Sequence, residues 1–164
     1  MKETLLILGA GQYGRLVCEL AERMNHFSKI SFLDDLNPLA VGSFSELEGF
    51  ASKYSSAVIA VGNPKIRADL YRRAKNAGFL LPHIISSSAF VSLSADLGEG
   101  VVIEPMAIVQ TDAKIGACSF ISSGSIIRHN ATVGAFCHCD CNSVVMSGAV
   151  VPDYNKVESL TLFK

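Results

Sequence analysis

No stretch of this chain is both long and apolar enough to cross a membrane. Its first apolar run, Leu5 to Leu8, meets glycine at once, which leaves no room for a signal peptide. Positive charge is not in excess: 14 Lys and Arg stand against 15 Asp and Glu, a balance that argues against nucleic-acid binding. The five cysteines do not form an even set, and three of them crowd into residues 137–141. An odd, clustered set suits a reducing cytoplasm better than a disulfide framework. What is present is a 164-residue chain, 49% hydrophobic, enough for one domain or two small ones.

From residue 85 to 163 a large side chain returns at every sixth position, from Ile85, Val91 and Leu97 to Val151, Val157 and Phe163. Cys139 is the one member of that series that is neither aliphatic nor aromatic. Four positions after nearly every member comes a small residue, as at Ala89, Ala107, Ser125 and Ala149, with Val101 the larger exception. Six is neither the helical period of 3.6 nor the strand period of 2. It predicts a solenoid in which six residues make one short strand and one turn, three such units closing a triangular coil. Three interior columns follow: Ile85, Ile103, Ile121, Cys139, Val157; then Val91, Val109, Ile127, Val145, Phe163; then Leu97, Ile115, Val133, Val151. The small residues are expected at the corners, and Gly98, Gly116 and Gly134 where a turn needs freedom in φ.

The first half reads differently. Residues 4–10, TLLILGA, have the look of a buried strand, and Gly9, Gly11 and Gly14 form a G-x-G-x-x-G that opens an amphipathic helix over 12–24. A second strand over 29–33 ends in Asp34 and Asp35. Glycines that let a backbone come close, a helix N-terminus that attracts phosphate, and an acid that bonds a ribose make a dinucleotide-type fingerprint. Ser45 and Glu48 suggest a capping box for a short helix to about Lys53. A third strand over 57–61 reaches Gly62 and Asn63, and Asn63 with Pro64 begins a helix that Gly78 stops. Alternating strands and helices predict a small Rossmann-like parallel α/β domain over 1–82, followed by a parallel β-helix over 83–164. The α/β part is large enough for a mononucleotide-sized ligand and short for NAD, so a nicotinamide-dependent oxidoreductase is the weaker alternative.

A glycine-loop α/β domain joined directly to hexapeptide repeats resembles the sialic acid O-acetyltransferases and UDP-4-amino-sugar N-acetyltransferases, a family that includes bacillosamine-pathway enzymes. The resemblance rests on GAGQYGR (9–15), FLDD (32–35), AVGNPKIR (60–67), SSSAFVS (86–92) and IIRHNATVGAFCHCDCNSVVMSG (126–148). It implies a left-handed β-helix, a cytoplasmic homotrimer and acetyl-CoA as co-substrate, with no metal. By the same resemblance His129 is the general base in a direct transfer to a nucleotide-linked amino sugar or a sialic-acid-type sugar for bacterial surface glycans. Asn130 stands beside it where the family has an acid. His138 and Gly148 are implied on the acetyl-CoA side. Gly9, Gly11, Tyr13, Gly14, Arg15, Asp34, Asp35, Gly62 and Asn63 are implied on the nucleotide-sugar side, Tyr13 replacing a histidine of the family. The chain ends some coils earlier than that pattern, a shortened C-terminus. The alternative is therefore a trimer that binds a nucleotide sugar without transferring acetyl groups.

Cys137, His138, Cys139, Asp140 and Cys141 look at first like metal ligands. The repeat, however, sends Cys139 inward and Cys137 to a corner, so they do not converge on one ion. Cys18 and Cys118 read as small hydrophobes. Arg67, Arg72, Arg73 and Lys75 read as a solvated helix face, with a phosphate role open to Arg67.

Overall fold

The computed structural model describes residues 3–164. Met1 and Lys2, the start of the expected 1–82 domain, lie outside the described residues. The chain forms two compact units, one ending at Ile84 and the other running from Ile85 to Lys164.

The first unit is built on a three-stranded parallel sheet, β1 (Glu3–Leu8), β2 (Phe27–Leu33) and β3 (Ser56–Ile59), in the order β2-β1-β3. β1 takes the middle because Leu5, Leu6, Ile7 and Leu8 are all fully buried, as a strand covered on both faces must be. Helix α1 (Gln12–Arg23) follows β1 and buries Val17, Leu20 and Ala21. Helix α2 (Pro64–Asn76) follows β3. Asn63 caps α2 as expected, its Oδ1 accepting the N–H groups of Lys65 (3.0 Å) and Ile66 (3.2 Å).

Two local expectations need correction. The element between β2 and β3 is a 3₁₀ helix, Phe44–Ser52, and its box is Ser43 with Glu46 rather than Ser45 with Glu48. Glu46 Oε2 accepts the Ser43 N–H at 2.8 Å, while Glu48 is drawn away to Arg73, 2.7 Å from its Nε. Nor is the basic stretch of α2 a solvated face throughout. Arg67 is 1% exposed and donates to the carbonyls of Val61 (2.8 Å) and Gly62 (3.2 Å). Arg72 pairs with Asp69, and Lys75 lies over the Tyr71 ring.

The second unit is the solenoid: fourteen two-residue strands arranged as three parallel sheets of five, five and four. The first face stacks Ile84–Ile85, Val102–Ile103, Phe120–Ile121, His138–Cys139 and Lys156–Val157. The second stacks Phe90–Val91, Ile108–Val109, Ile126–Ile127, Val144–Val145 and Leu162–Phe163. The third stacks Asp96–Leu97, Lys114–Ile115, Thr132–Val133 and Val150–Val151. The second residue of each strand points inward, and these residues form the core column by column as the six-residue period requires. Small corner residues are buried too. Where they are serines the hydroxyl is satisfied: Ser119 donates to Gly134 O and Ser125 to Asp140 O, both at 2.8 Å.

The turn chemistry departs from expectation. Gly98, Gly116 and Gly134 do not have positive φ. They are glycines because the next coil leaves no room: a Cβ on Gly116 would lie 2.4 Å from Ala135 N. The left-handed position comes two residues later in each turn and recurs every sixth residue, at Gly100, Met106, Asp112, Cys118, Gly124, Asn130 and onward to Leu160. Most of these residues are not glycine, so the strain of a left-handed backbone is carried by ordinary side chains.

The outer surfaces of the faces differ. The third face shows Asp96, Lys114 and Thr132 and ends in the exposed Val150, whereas the second shows Phe90, Ile108, Ile126, Val144 and Leu162, an unbroken apolar column. Phe90 and Leu162 are each 61% exposed. Among the described residues no helix is long and apolar enough to cross a membrane.

Candidate active site

In the first unit the three glycines divide the work. Gly9, at φ +114°, turns the chain out of β1 where a Cβ would meet Ala60 O at 2.8 Å. Gly14 packs against that turn, its own Cβ position 2.0 Å from Gly9 O. A Cβ on Gly11 would meet nothing within 4 Å, and no side chain caps α1, so the helix N-terminus stays open to an anion. The cleft there has a volume of about 410 Å³ and is lined by Gly9, Gly11, Tyr13, Asp34, Asp35, Phe44 and Gly62, among others. Arg15 is exposed one turn into α1.

The two acids hold this cleft together. Asp34 accepts N–H groups from Ala10 (2.8 Å), Leu36 (2.9 Å) and Asn37 (3.0 Å). The Ala10 N–H foremost, against the opposing effect of partial burial, keeps its carboxyl below the usual carboxylate range. Three of its roughly four acceptor positions are thus taken by backbone. Asn37 closes the clasp by donating to Ala10 O at 2.7 Å. Among the described residues Asp35 accepts only the Phe44 N–H, at 2.9 Å, and is the acid with capacity left for a ligand.

In the second unit His129 and Asn130 sit at the turn that follows the second face. They line an open pocket of about 520 Å³ with Phe90, Gln110, Thr111 and Asp112. Asn130 holds the left-handed position (φ 58°), where asparagine is among the best-tolerated residues. Its side-chain amide lies 3.3 Å from His129 Nδ1. Gln110 Oε1 accepts the His129 N–H at 3.1 Å, and Ser147 Oγ is 2.9 Å from Nε2. Both ring nitrogens are therefore held, and the two amide orientations of Asn130 select the two tautomers. With Nδ2 facing the ring, Nδ1 accepts and Nε2 carries the proton. With Oδ1 facing it, Nδ1 carries the proton and Nε2 is free to act as a base.

Residues 4–74 match the PglD N-terminal domain. Over its length the chain is similar to a histidine-to-asparagine mutant of perosamine N-acetyltransferase from Caulobacter crescentus, solved with CoA and GDP-perosamine. The identity is 24% and the TM-score 0.81, covering 97% of this chain and 90% of that one. It is also similar to the acetyltransferase domain of PglB from Neisseria gonorrhoeae, solved with acetyl coenzyme A, at 25% identity and TM-score 0.63, covering 96% of each chain. WeeI from Acinetobacter baumannii matches at 18% identity and TM-score 0.73, covering 98% of this chain and 93% of that one. The family match lies within the first unit, and over its whole length the chain is similar to these solved structures. It shares their fold, a short α/β domain followed by a left-handed β-helix.

Within this fold the expected residues form two groups. The glycine loop, Tyr13, Asp34, Asp35 and Gly62 gather at the cleft of the first unit, while Asn63 is occupied in capping α2. His129 and Asn130 adjoin Ser147 and, through it, Gly148. His138 stands apart from them on the first face. Its Nε2 is 2.9 Å from Ser122 Oγ, its ring packs edge-on against Phe120, and Ser122 donates to the buried Glu104 at 2.9 Å. Asp140 nearby is held down to about 2. Burial opposes that shift and is outweighed by the Cys141 N–H, Lys156 and His138. Among the described residues no group of His, Cys, Asp and Glu could hold a metal ion. Cys139 faces the core, where burial pushes its thiol up to about 12, and burial raises Cys18 to about 11.

Gln110 and Ser147 escaped sequence reasoning. The signal that finds them is the coil length: Ser147 lies eighteen positions after His129 and therefore stacks directly upon it.

Proposed function

We propose that the chain transfers the acetyl group of acetyl-CoA to an amino group on a nucleotide-linked sugar, serving bacterial surface glycan synthesis. The observation that carries this reading is His129, exposed at the rim of an open pocket with Nδ1 and Nε2 each held by a neighbouring side chain. In the ternary complex the sugar's nucleophile displaces Ser147 from Nε2 and gives up its proton there as it attacks the thioester carbon, a direct transfer. The nucleotide occupies the glycine-loop cleft, its phosphate at the open N-terminus of α1 and its ribose or base toward Asp35. Amine acylation of a nucleotide sugar is favoured over a sialic-acid-type hydroxyl by the perosamine N-acetyltransferase likeness. The His138 region would lie along acetyl-CoA, and no resident metal is required.

The protein works as a homotrimer in this reading, associating through the apolar second face, whose edge residue Phe90 also lines the His129 pocket. A partner copy would thereby complete the site. Five unpaired cysteines accord with a reducing cytoplasm, where acetyl-CoA is available.

Calorimetric titration with acetyl-CoA, using NAD as control ligand, is the first test, followed by chromatographic detection of acetylated UDP- and GDP-linked amino sugars. Binding of acetyl-CoA without NAD, and turnover that disappears in His129→Ala, are expected. A transfer rate unchanged in His129→Ala would sink the base assignment. For the trimer, Ile126→Glu should yield monomers in sedimentation, and a variant that sediments like the parent would refute the interface.

A further inference from the structure

We propose that Ser147 is itself an acetyl acceptor: with acetyl-CoA bound and no sugar in place, it becomes an acetyl-serine. Ser147 Oγ lies 2.9 Å from His129 Nε2, and His129 Nδ1 lies 3.3 Å from the Asn130 amide. This is a hydroxyl, an imidazole and an orienting amide in one chain, the arrangement that turns a hydroxyl into a nucleophile. All three side chains are exposed, so an acyl donor can reach them.

A second, independent observation concerns the backbone. Along the solenoid the left-handed residue of each turn donates its N–H to a carbonyl of the coil below, as Phe136 does to Ala117 and Tyr154 to Ala135. From Cys118 to Leu160 this bond is missing at one position only, Gly148, whose partner would be His129 O. Among the described residues neither the Ser147 nor the Gly148 N–H has an acceptor. Two adjacent free N–H groups beside a nucleophilic hydroxyl can receive the oxyanion of a tetrahedral intermediate. A Cβ placed on Gly148 would meet nothing within 4 Å, so there is room for the acyl group.

The step balances without a further reactant. His129 Nε2 takes the Ser147 proton as Oγ bonds to the thioester carbon. Collapse of the oxyanion breaks the C–S bond, and the departing sulfur takes the proton from Nε2 and leaves as CoA thiol. Water then attacks the ester carbon and gives a proton to Nε2; the C–Oγ bond breaks, Nε2 returns the proton to Ser147 Oγ, and acetate leaves. The chain is thus also a slow acetyl-CoA hydrolase when sugar is absent.

This rests on acetyl-CoA binding at the His129 site, so binding is measured first on the same sample. The full chain is incubated with acetyl-CoA and no sugar, quenched in acid over a time series, and digested for peptide mass spectrometry. An acetyl group on Ser147 in the wild type, lost in Ser147→Ala and in His129→Gln, is the expected result. With acetyl-CoA shown to bind, absence of the adduct at every time overturns the inference and leaves the proposed function standing. An acetyl mark that persists in Ser147→Ala lies on another side chain and equally overturns it. Failure to bind acetyl-CoA at all removes both.

Discussion

Gly116→Ala should be among the most damaging single-methyl additions in the solenoid. The new Cβ would lie 2.4 Å from Ala135 N, 2.5 Å from Gly134 C and 2.7 Å from Ala135 Cα, all backbone atoms of the next coil. An ordinary carbon contact needs about 3.5 Å, so the coils must separate locally by roughly 1 Å. That movement stretches the bonds pinning them together, Gly116 N–H to Val133 O at 2.7 Å and Gly134 N–H to Val151 O at 2.9 Å. Overpacking costs about 1–3 kcal/mol, and two weakened hydrogen bonds add about 1 kcal/mol each. A loss of about 3–5 kcal/mol is expected, a large part of the stability of an ordinary domain. Gly49→Ala is the control: its Cβ meets nothing within 4 Å, and the change should stay under about 1 kcal/mol. Denaturant unfolding followed by circular dichroism compares the two. If Gly116→Ala unfolds within about 0.5 kcal/mol of the parent, close approach is not why glycine stands there.

Leu160 is 80% exposed and held at φ 60°, so Leu160→Asn should stabilise the chain by up to about 1 kcal/mol, seen as a higher denaturation midpoint. Asn130→Asp keeps a residue tolerant of the left-handed backbone and adds a charge facing His129 Nδ1. It should raise kcat on the order of tenfold without changing stability, and a fall in kcat would refute the tautomer argument. The Arg73 hydrogen bond holds Glu48 down to about 2. The stability this adds is fully present above the ordinary carboxylate range and is lost as pH falls through about 2. Both side chains are partly exposed, so Arg73→Met should cost less than about 1 kcal/mol at neutral pH. The part of that cost due to Glu48 should disappear in denaturant titrations near pH 2, leaving the part due to the Arg73 bond to Phe44 O.

The solenoid was legible because its constraint is strictly periodic: one inward position in six has to be large, and Ile103, Ile121 and Cys139 duly stack. The same period hid the turn. Gly98, Gly116 and Gly134 suggest backbone freedom, yet the left-handed position falls two residues on, where Met106, Phe136 and Tyr154 give no composition cue. In the first unit the caps were readable where one residue decides them, as with Asn63, and misplaced where two boxes competed for the same segment. Arg67 shows the limit of reading charge as surface, for its burial depends on carbonyls that the sequence does not display. At the site, His129 and Asn130 were visible as neighbours, but Ser147 becomes their partner only through the coil.

Interior and exterior of this solenoid keep time differently. A deletion or insertion of six residues would leave every inward side chain large and every corner small, and the core would register no change. It would, however, rotate everything beyond it by a third of a turn. Ile126 and Val144 would then continue into the polar surface of Lys114 and Thr132, and Ser147 would no longer lie over His129. Length variation that stability tolerates in sixes is therefore tolerated by the outer column and the His129 site only in eighteens.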